Sequence, residues 1–163
     1  MKIEPDASRD AVNEVVRLHR QVYESEYGLD ETFANSVAVQ LAEASRSGWP
    51  GSREGLWLAR LDGRVVGSVT LFEEDRELGR LGHLVLMPEA RGTGAGRRLV
   101  ETVLDAARAS EYTRLHLLTF GELRTAGSLY RSVGFVRTSV ERTLRWGITM
   151  DWERYELSLA SAP

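Results

Sequence analysis

The sequence predicts a mixed α/β sheet with helices on both faces, and three observations carry that prediction. Two amphipathic helical segments open the chain, β-runs and helical segments then alternate from about residue 56 onward, and an Asp62-Gly63 pair between two β-runs marks a tight hairpin. No internal repeat or low-complexity linker interrupts the pattern, so residues 1–163 are read as one domain, long enough to bury a core of its own.

The elements follow in order. After a short extended start, Ser8 can cap a helix whose apolar positions Ala11, Val15, Leu18 and Val22 share one face and which stops near Gly28. A second helix runs from about Asp30 to Arg46 with Phe33, Val37 and Leu41 inward, and "SGWPGSREG" breaks it. Leu56–Leu61 and Val65–Phe72 read as paired strands, and "RLGHLVLM" as a third that ends at Pro88. A glycine-rich stretch leads into a helix over residues 97–110, "RLHLLTF" forms another strand, and "LRTAGSLYRSV" forms a helix ended by Gly134. Strands around Val136–Leu144 and Trp152–Leu159 complete the chain.

Composition limits the function. With 42% hydrophobic and 28% charged residues and no apolar run near the roughly 20 residues a membrane span needs, the protein is expected to be soluble, with no membrane partner. The chain has no cysteine, which excludes disulfides, thiol catalysis and cysteine-ligated zinc, and nothing suggests another metal site. Residues Met1–Asp6 lack the pattern of an export signal, so a cytoplasmic location is expected. The net charge of −3 conceals an asymmetry: residues 1–79 hold 15 acidic and 9 basic side chains, residues 80–145 hold 6 and 11. A locally positive region in an acidic protein suits a small polyanionic ligand better than nucleic acid.

The stretch Arg91-Gly92-Thr93-Gly94-Ala95-Gly96 sits between a strand and a helix, where converging N–H groups and the helix dipole favour phosphate. It lacks the Gly-Lys-Ser/Thr ending of a nucleoside-triphosphate loop, because Arg97 and Arg98 follow Gly96. It also lacks the sixth-position glycine of the dinucleotide fingerprint, where Arg97 stands. The hexapeptide resembles the Arg/Gln-x-x-Gly-x-Gly/Ala loop of the GNAT superfamily of N-acetyltransferases. Two flanking motifs agree in order and spacing: "VLMPEA" resembles the family's strand-Pro-Glu entry, and "AGSLYRSVGF" its Ala-x-x-Leu-Tyr-x-x-x-Gly-Phe helix and turn. The likeness covers about Leu56–Phe135. Residues 19–33 further resemble the opening helices of GNAT domains that some bacteria fuse behind MarR-type DNA-binding domains.

The resemblance implies the GNAT fold, a mixed and mostly antiparallel sheet of about seven strands, and acetyl-CoA as cofactor. It implies that the backbone of Leu84, Val85 and Leu86 pairs with the pantetheine arm. The amides of Gly92, Thr93, Gly94, Ala95, Gly96 and Arg97 would hold the pyrophosphate, with Arg91, Arg97 or Arg98 meeting remaining charge. Tyr130 matches the family's tyrosine near the cofactor sulfur, where a phenol can protonate the leaving thiolate; the same position also suits an aromatic core contact. One departure stands out: where many members carry asparagine seven residues before this tyrosine, this chain has Leu123, with Thr119 or Thr125 as replacements.

His83 and Glu73, the latter beside Glu74, are candidates for the general base. His19, Tyr23, Glu26 and Tyr27 fall on one side of the first helix, an aromatic and acidic group suited to a cationic amine, although the spacing also describes a helix face packing its tyrosines. The expected activity is direct acetyl transfer to a primary amine of a small molecule or peptide. A non-catalytic acyl-CoA sensor or interaction module stays open as the alternative, as does a homodimer.

Overall fold

The computed structural model describes residues 1–159. The chain runs β1 (Lys2–Pro5), α1 (Arg9–Tyr27), α2 (Glu31–Arg46), β2 (Gly55–Leu61), β3 (Arg64–Glu73), β4 (Leu78–Leu86), a single 3-10 turn (Pro88–Ala90), α3 (Ala95–Ala109), β5 (Arg114–Phe120), α4 (Arg124–Ser132), β6 (Val136–Arg145) and β7 (Ile148–Ser158). The caps act as their chemistry requires. Ser8 accepts from the Ala11 N–H at the start of α1, Gly28 closes that helix at φ 68°, and Asp30 caps α2 through the Thr32 N–H.

Seven strands form one sheet in the order β1-β2-β3-β4-β5-β7-β6, antiparallel everywhere except between β4 and β5. Helices α1 and α2 cover one face through Val15, Leu18, Val22, Phe33, Val37 and Leu41. Helix α3 covers the other through Leu99, Val100, Val103, Leu104 and Ala107, joined by Tyr130 of α4. Both faces are therefore covered, and the apolar residues of each helix sit at the three-to-four spacing that one buried stripe demands.

Several boundaries differ from the sequence reading, β4 for one starting two residues earlier at Leu78, and two of the differences bear on the site. Helix α3 starts at Ala95 rather than residue 97, because the small residues Ala95 and Gly96 lie under the sheet and are buried in its first turn. Strand β7 starts at Ile148, since Trp146 and Gly147, at φ 49° and 86°, form a two-residue hairpin turn after β6. Asp62 and Gly63, at φ 50° and 79°, make the same kind of turn between β2 and β3.

Candidate active site

The parallel pair β4 and β5 shares only three registered positions, Leu78, Gly79 and Arg80 against Arg114, Leu115 and His116. Beyond them the strands part, and the edge of β4 facing β5 is left open. Strand β4 carries an extra residue there: Ser68 pairs with Val85 and Thr70 with Gly82, so His83 and Leu84 together oppose Val69. His83 takes φ 49°, a conformation that bulky residues rarely adopt.

The ladder decides which backbone groups face the gap. The Met87 N–H donates to Val66 O, so the Val85 main chain, two residues earlier, also points to β3, while those of Leu84 and Leu86 point into the gap. Of the three residues expected to pair with the pantetheine arm, Val85 is thus already engaged with β3. The Leu84 carbonyl accepts from the Tyr23 hydroxyl at 3.4 Å and the Leu86 carbonyl from the Arg91 guanidinium at 3.0 Å.

The gap continues as a groove of about 310 Å³ along Leu86, Arg91, Gly92, Gly94, Ala95, Gly96 and Arg97, closed on its far side by Thr125, Ala126 and Leu129 of α4. Gly92 and Gly94 adopt φ 72° and 85°, with no atom within 4 Å of where a Cβ would stand. The N–H groups of Gly92, Thr93, Gly94, Gly96 and Arg97 make no hydrogen bond to any described residue, whereas the Ala95 N–H donates to Thr93 Oγ1 at 3.3 Å. Five free donors at a helix start form a concave anion receptor. Arg97 hydrogen-bonds Ser132 at 2.7 Å, and Arg91 forks onto Glu26 at 2.6 and 2.7 Å. That ion pair holds the Arg91 charge beside the loop and keeps the Glu26 carboxyl below its ordinary pKa.

A second cavity, of about 360 Å³, opens between α1, α2 and the parted strands. It shares Tyr23, Leu84, Leu123 and Ala126 with the groove, so the two spaces meet there. Tyr130 lines the cavity from α4, one helical turn along from Ala126 at the junction. It is 5% exposed, packs its ring on Phe135 and Tyr155, and its hydroxyl has no hydrogen-bond partner among the described residues. Burial raises its pKa far above the ordinary phenol value, so the hydroxyl remains a donor at neutral pH.

The two histidines of the cavity stand 5.6 Å apart, ring to ring. His83 lies 2.9 Å from Thr70 Oγ1 through Nδ1 and 3.1 Å from Gln40 Oε1 through Nε2. Since Gln40 Oε1 can only accept, Nε2 carries the proton and Nδ1 accepts from the Thr70 hydroxyl. His19 Nδ1 lies 2.7 Å from Val15 O, another obligate acceptor, which leaves the lone pair on Nε2. Burial lowers both pKa values, that of His19 to about 4 and that of His83 well below the usual range, where nearby His19 and Arg80 contribute as well.

The remaining sequence candidates are divided. Glu73 lies at the end of β3 in an ion pair with Arg53 and lines neither space. Of the four α1 residues grouped for the acceptor, His19 and Tyr23 line the cavity, Tyr27 lines the groove, and Glu26 is engaged with Arg91. Among the described residues no carboxylate lines the cavity, so the acidic group expected to meet a cationic acceptor does not form there. Thr119 lines the cavity and Thr125 the groove, on either side of Leu123. Sequence reasoning missed Gln40, Arg145, Trp146 and Trp152, which all line the cavity; no local sign marked them, since Trp146 is held at φ 49° by contacts made only in the fold.

Residues 13–135 match the profile of the Acetyltransferase (GNAT) family. The chain belongs to that family. Among curated relatives, it is 32% identical over 136 residues to the probable N-acetyltransferase family 8 member 5 of Mus musculus, covering 78% of this chain and 60% of that protein. It is 27% identical over 124 residues to the uncharacterized N-acetyltransferase YjgM of Escherichia coli, covering 74% of each. The chain spans from 47% to 60% of the length of the mammalian N-acetyltransferase 8 relatives it matches first. Among solved structures, an acetyltransferase from Streptococcus agalactiae superposes with a TM-score of 0.77 at 23% identity, covering 97% of this chain and 98% of that one. The yncA acetyltransferase of Salmonella typhimurium, solved with its cofactor acetyl-CoA, gives 0.79 at 15% identity, covering 99% and 95%. The sheet order and the placement of four helices are those of the GNAT fold.

GNAT acetyltransferases draw the acetyl group from acetyl-CoA. The residues of this GNAT chain fit that group: five unpaired amides at the start of α3 suit a pyrophosphate, and the open edge at Leu84 and Leu86 suits an extended amide-bearing arm. Gly96 sets the depth of the cradle, because a Cβ there would lie 3.2 Å from Leu86 and 3.3 Å from Leu129.

Proposed function

We propose that this protein is an acetyl-CoA-dependent N-acetyltransferase that transfers the acetyl group directly to a primary amine. The observation that carries the reading is the junction of the two spaces at Tyr23, Leu84, Leu123 and Ala126, with Tyr130 beside it. An anion-binding groove on one side and an aromatic cavity on the other meet one helical turn from a buried proton donor.

Acetyl-CoA, when bound, supplies the acetyl group as a reactive thioester. The amides from Gly92 to Arg97 bind its pyrophosphate, the main chain of Leu84 and Leu86 orients its arm, and the Tyr130 hydroxyl donates a proton to the departing thiolate. The cavity walls exclude water and hold the acceptor amine at the junction. The amine proton leaves to the His19 Nε2 lone pair, or to His83 Nδ1 once the Thr70 hydroxyl turns its own proton away, His83 Nε2 staying the donor to Gln40. With no cysteine in the chain, transfer needs no thiol-bound enzyme intermediate.

The acceptor is a small-molecule or peptide amine. A second reading, an acyl-CoA-binding sensor, is favoured by Leu123, an apolar residue at the N-cap of α4 that offers no side-chain hydrogen bond. Kinship with GNAT domains fused to MarR-type regulators rests on residues 19–33 alone. A homodimer would use the outer strand β6, where Val136, Val140 and Leu144 are exposed. No described helix is long and apolar enough to cross a membrane, and a cytoplasmic location goes with the reading.

The test is the thermal midpoint with and without acetyl-CoA, followed by free-thiol release with a panel of amines. A ligand that binds the folded state raises the midpoint as its concentration exceeds Kd. A raised midpoint with amine-dependent thiol release is expected. No shift at millimolar acetyl-CoA would overturn the reading, and a shift with no turnover would favour the sensor.

A further inference from the structure

The acceptor cavity has a charged corner that the transfer chemistry leaves unused. Arg145 ends β6, and its guanidinium lies 4.5 Å from the ring centre of Trp152 and 6.0 Å from that of Trp146. Its Nε is buried and has no hydrogen-bond partner, and no ion pair engages the side chain among the described residues. The outer guanidinium nitrogens carry no hydrogen bond to any described residue either, and Arg145 forms part of the cavity wall, so these are the donors a ligand there can reach.

The carboxylates of the adjoining turn and strand bond elsewhere: Asp30 Oδ1 takes the Thr32 N–H and hydroxyl, Asp151 pairs with Arg142 at 3.2 Å, and Glu153 pairs with Arg137 at 2.8 Å. Glu141, opposite Trp152 in the register, is exposed and outside the cavity lining. The corner is also fixed in place. Trp146 O accepts from the Asp30 N–H at 2.8 Å, and the Trp146 ring meets Phe33 edge-on at 5.0 Å, so α2 pins the turn that presents Arg145. A non-glycine residue at φ 49° held by two tertiary contacts is backbone strain of the kind found at binding sites.

Arg145, Trp146 and Trp152 line the cavity from the β6–β7 turn and β7, whereas the junction where the amine must sit is made by α1, β4 and the start of α4. A ligand filling the space therefore presents its amine at one end and meets a guanidinium framed by indoles at the other. This inference rests on the acetyl-transfer reading, and it replaces the cationic acceptor expected from the acidic first half of the chain. We propose that the acceptor is an aminocarboxylate with an aromatic or bulky apolar body, its carboxylate taken by Arg145 and its body by Phe33, Trp146 and Trp152. A planar carboxylate matches the guanidinium fork, and a cavity of about 360 Å³ accommodates a molecule of amino-acid size.

The test compares two probes that differ only in the carboxylate, L-phenylalanine and 2-phenylethylamine, by quenching of tryptophan fluorescence in the intact protein. L-Phenylalanine is expected to bind at least about tenfold tighter, the weight of one charge-assisted hydrogen-bond pair. Arg145→Gln should bring the two affinities together, and Arg145→Lys should restore part of the difference; thermal melts verify that both variants fold. Equal affinities in the unaltered protein, a preference for 2-phenylethylamine, or no quenching by either probe at millimolar concentration would each overturn the proposal, and none of these needs a variant. Failure of the acetyl-transfer reading would register separately, as loss of acetyl-CoA binding and thiol release, neither of which the fluorescence titration uses.

Discussion

Replacing Gly94 with glutamate tests the anion receptor at its centre. Gly94 is the N-cap of α3 at φ 85° and ψ 2°, with open space where its Cβ would be, so the perturbation has two separable parts. Any side chain there incurs left-handed strain of roughly 1–2 kcal/mol, which Gly94→Ala measures alone. The glutamate charge adds repulsion. At about 5 Å, with an effective dielectric constant between 20 and 80, one unit charge repels another by roughly 0.8–3.3 kcal/mol, and two pyrophosphate charges double that. The lower bound already weakens acetyl-CoA binding by more than about tenfold, and the middle of the range gives roughly a hundredfold or more. Calorimetric titration of acetyl-CoA into the unaltered protein, Gly94→Ala and Gly94→Glu reads this directly, and the gap should narrow as salt screens the charges. A folded Gly94→Glu protein with undiminished affinity would refute the assignment of the loop.

Three further outcomes are expected. Tyr130→Phe should lower kcat by roughly 10²–10⁴ while leaving acetyl-CoA affinity and thermal stability nearly unchanged, because the hydroxyl has no hydrogen-bond partner to lose; unaltered turnover in thiol-release kinetics removes Tyr130 from the mechanism. Stability should fall in acid: His19 binds a proton near pH 6.5 when unfolded but only near about 4 when folded, so the unfolded state takes up more protons in between. The loss reaches roughly 3 kcal/mol for His19 alone, His83 acts in the same direction, and urea midpoints at pH 7 and 4.5 that coincide would contradict this. Glu26→Gln should cost less than about 1 kcal/mol of stability, since the pair with Arg91 is partly exposed, and should leave acceptor preference intact; a changed ranking of amines in steady-state kinetics would return Glu26 to the acceptor site.

What the sequence disclosed follows from which features are local. The Asp62-Gly63 turn was legible because both residues tolerate positive φ at little cost, and "RGTGAG" because only glycine permits φ 72° and 85° in a tight approach to the helix start. The Trp146-Gly147 turn was not, because tryptophan has no intrinsic liking for that conformation and is held there by Asp30 and Phe33, more than a hundred residues away in the chain. The extra residue at His83 left no mark on the alternation of "RLGHLVLM" either, since a bulge is defined by the partner strand. Charge was misread for the same reason. Counting acids in the first half could not show that Glu26 is bound to an arginine 65 positions on, or that the described residues lining the cavity include arginine and no carboxylate.

The short pairing of β4 with β5 has a further consequence. A strand with an unsatisfied edge normally invites another chain to add itself, and proteins guard the rims of their sheets accordingly. Here the unsatisfied edge lies in the middle of the sheet order, with α1 and α2 above it and α4 below. A neighbouring polypeptide carrying side chains on both faces would collide with that cover, whereas a slender, unbranched ligand bearing amide groups can slide in lengthwise. The fold thus keeps a sticky seam available to one shape of guest while hiding it from other copies of the protein.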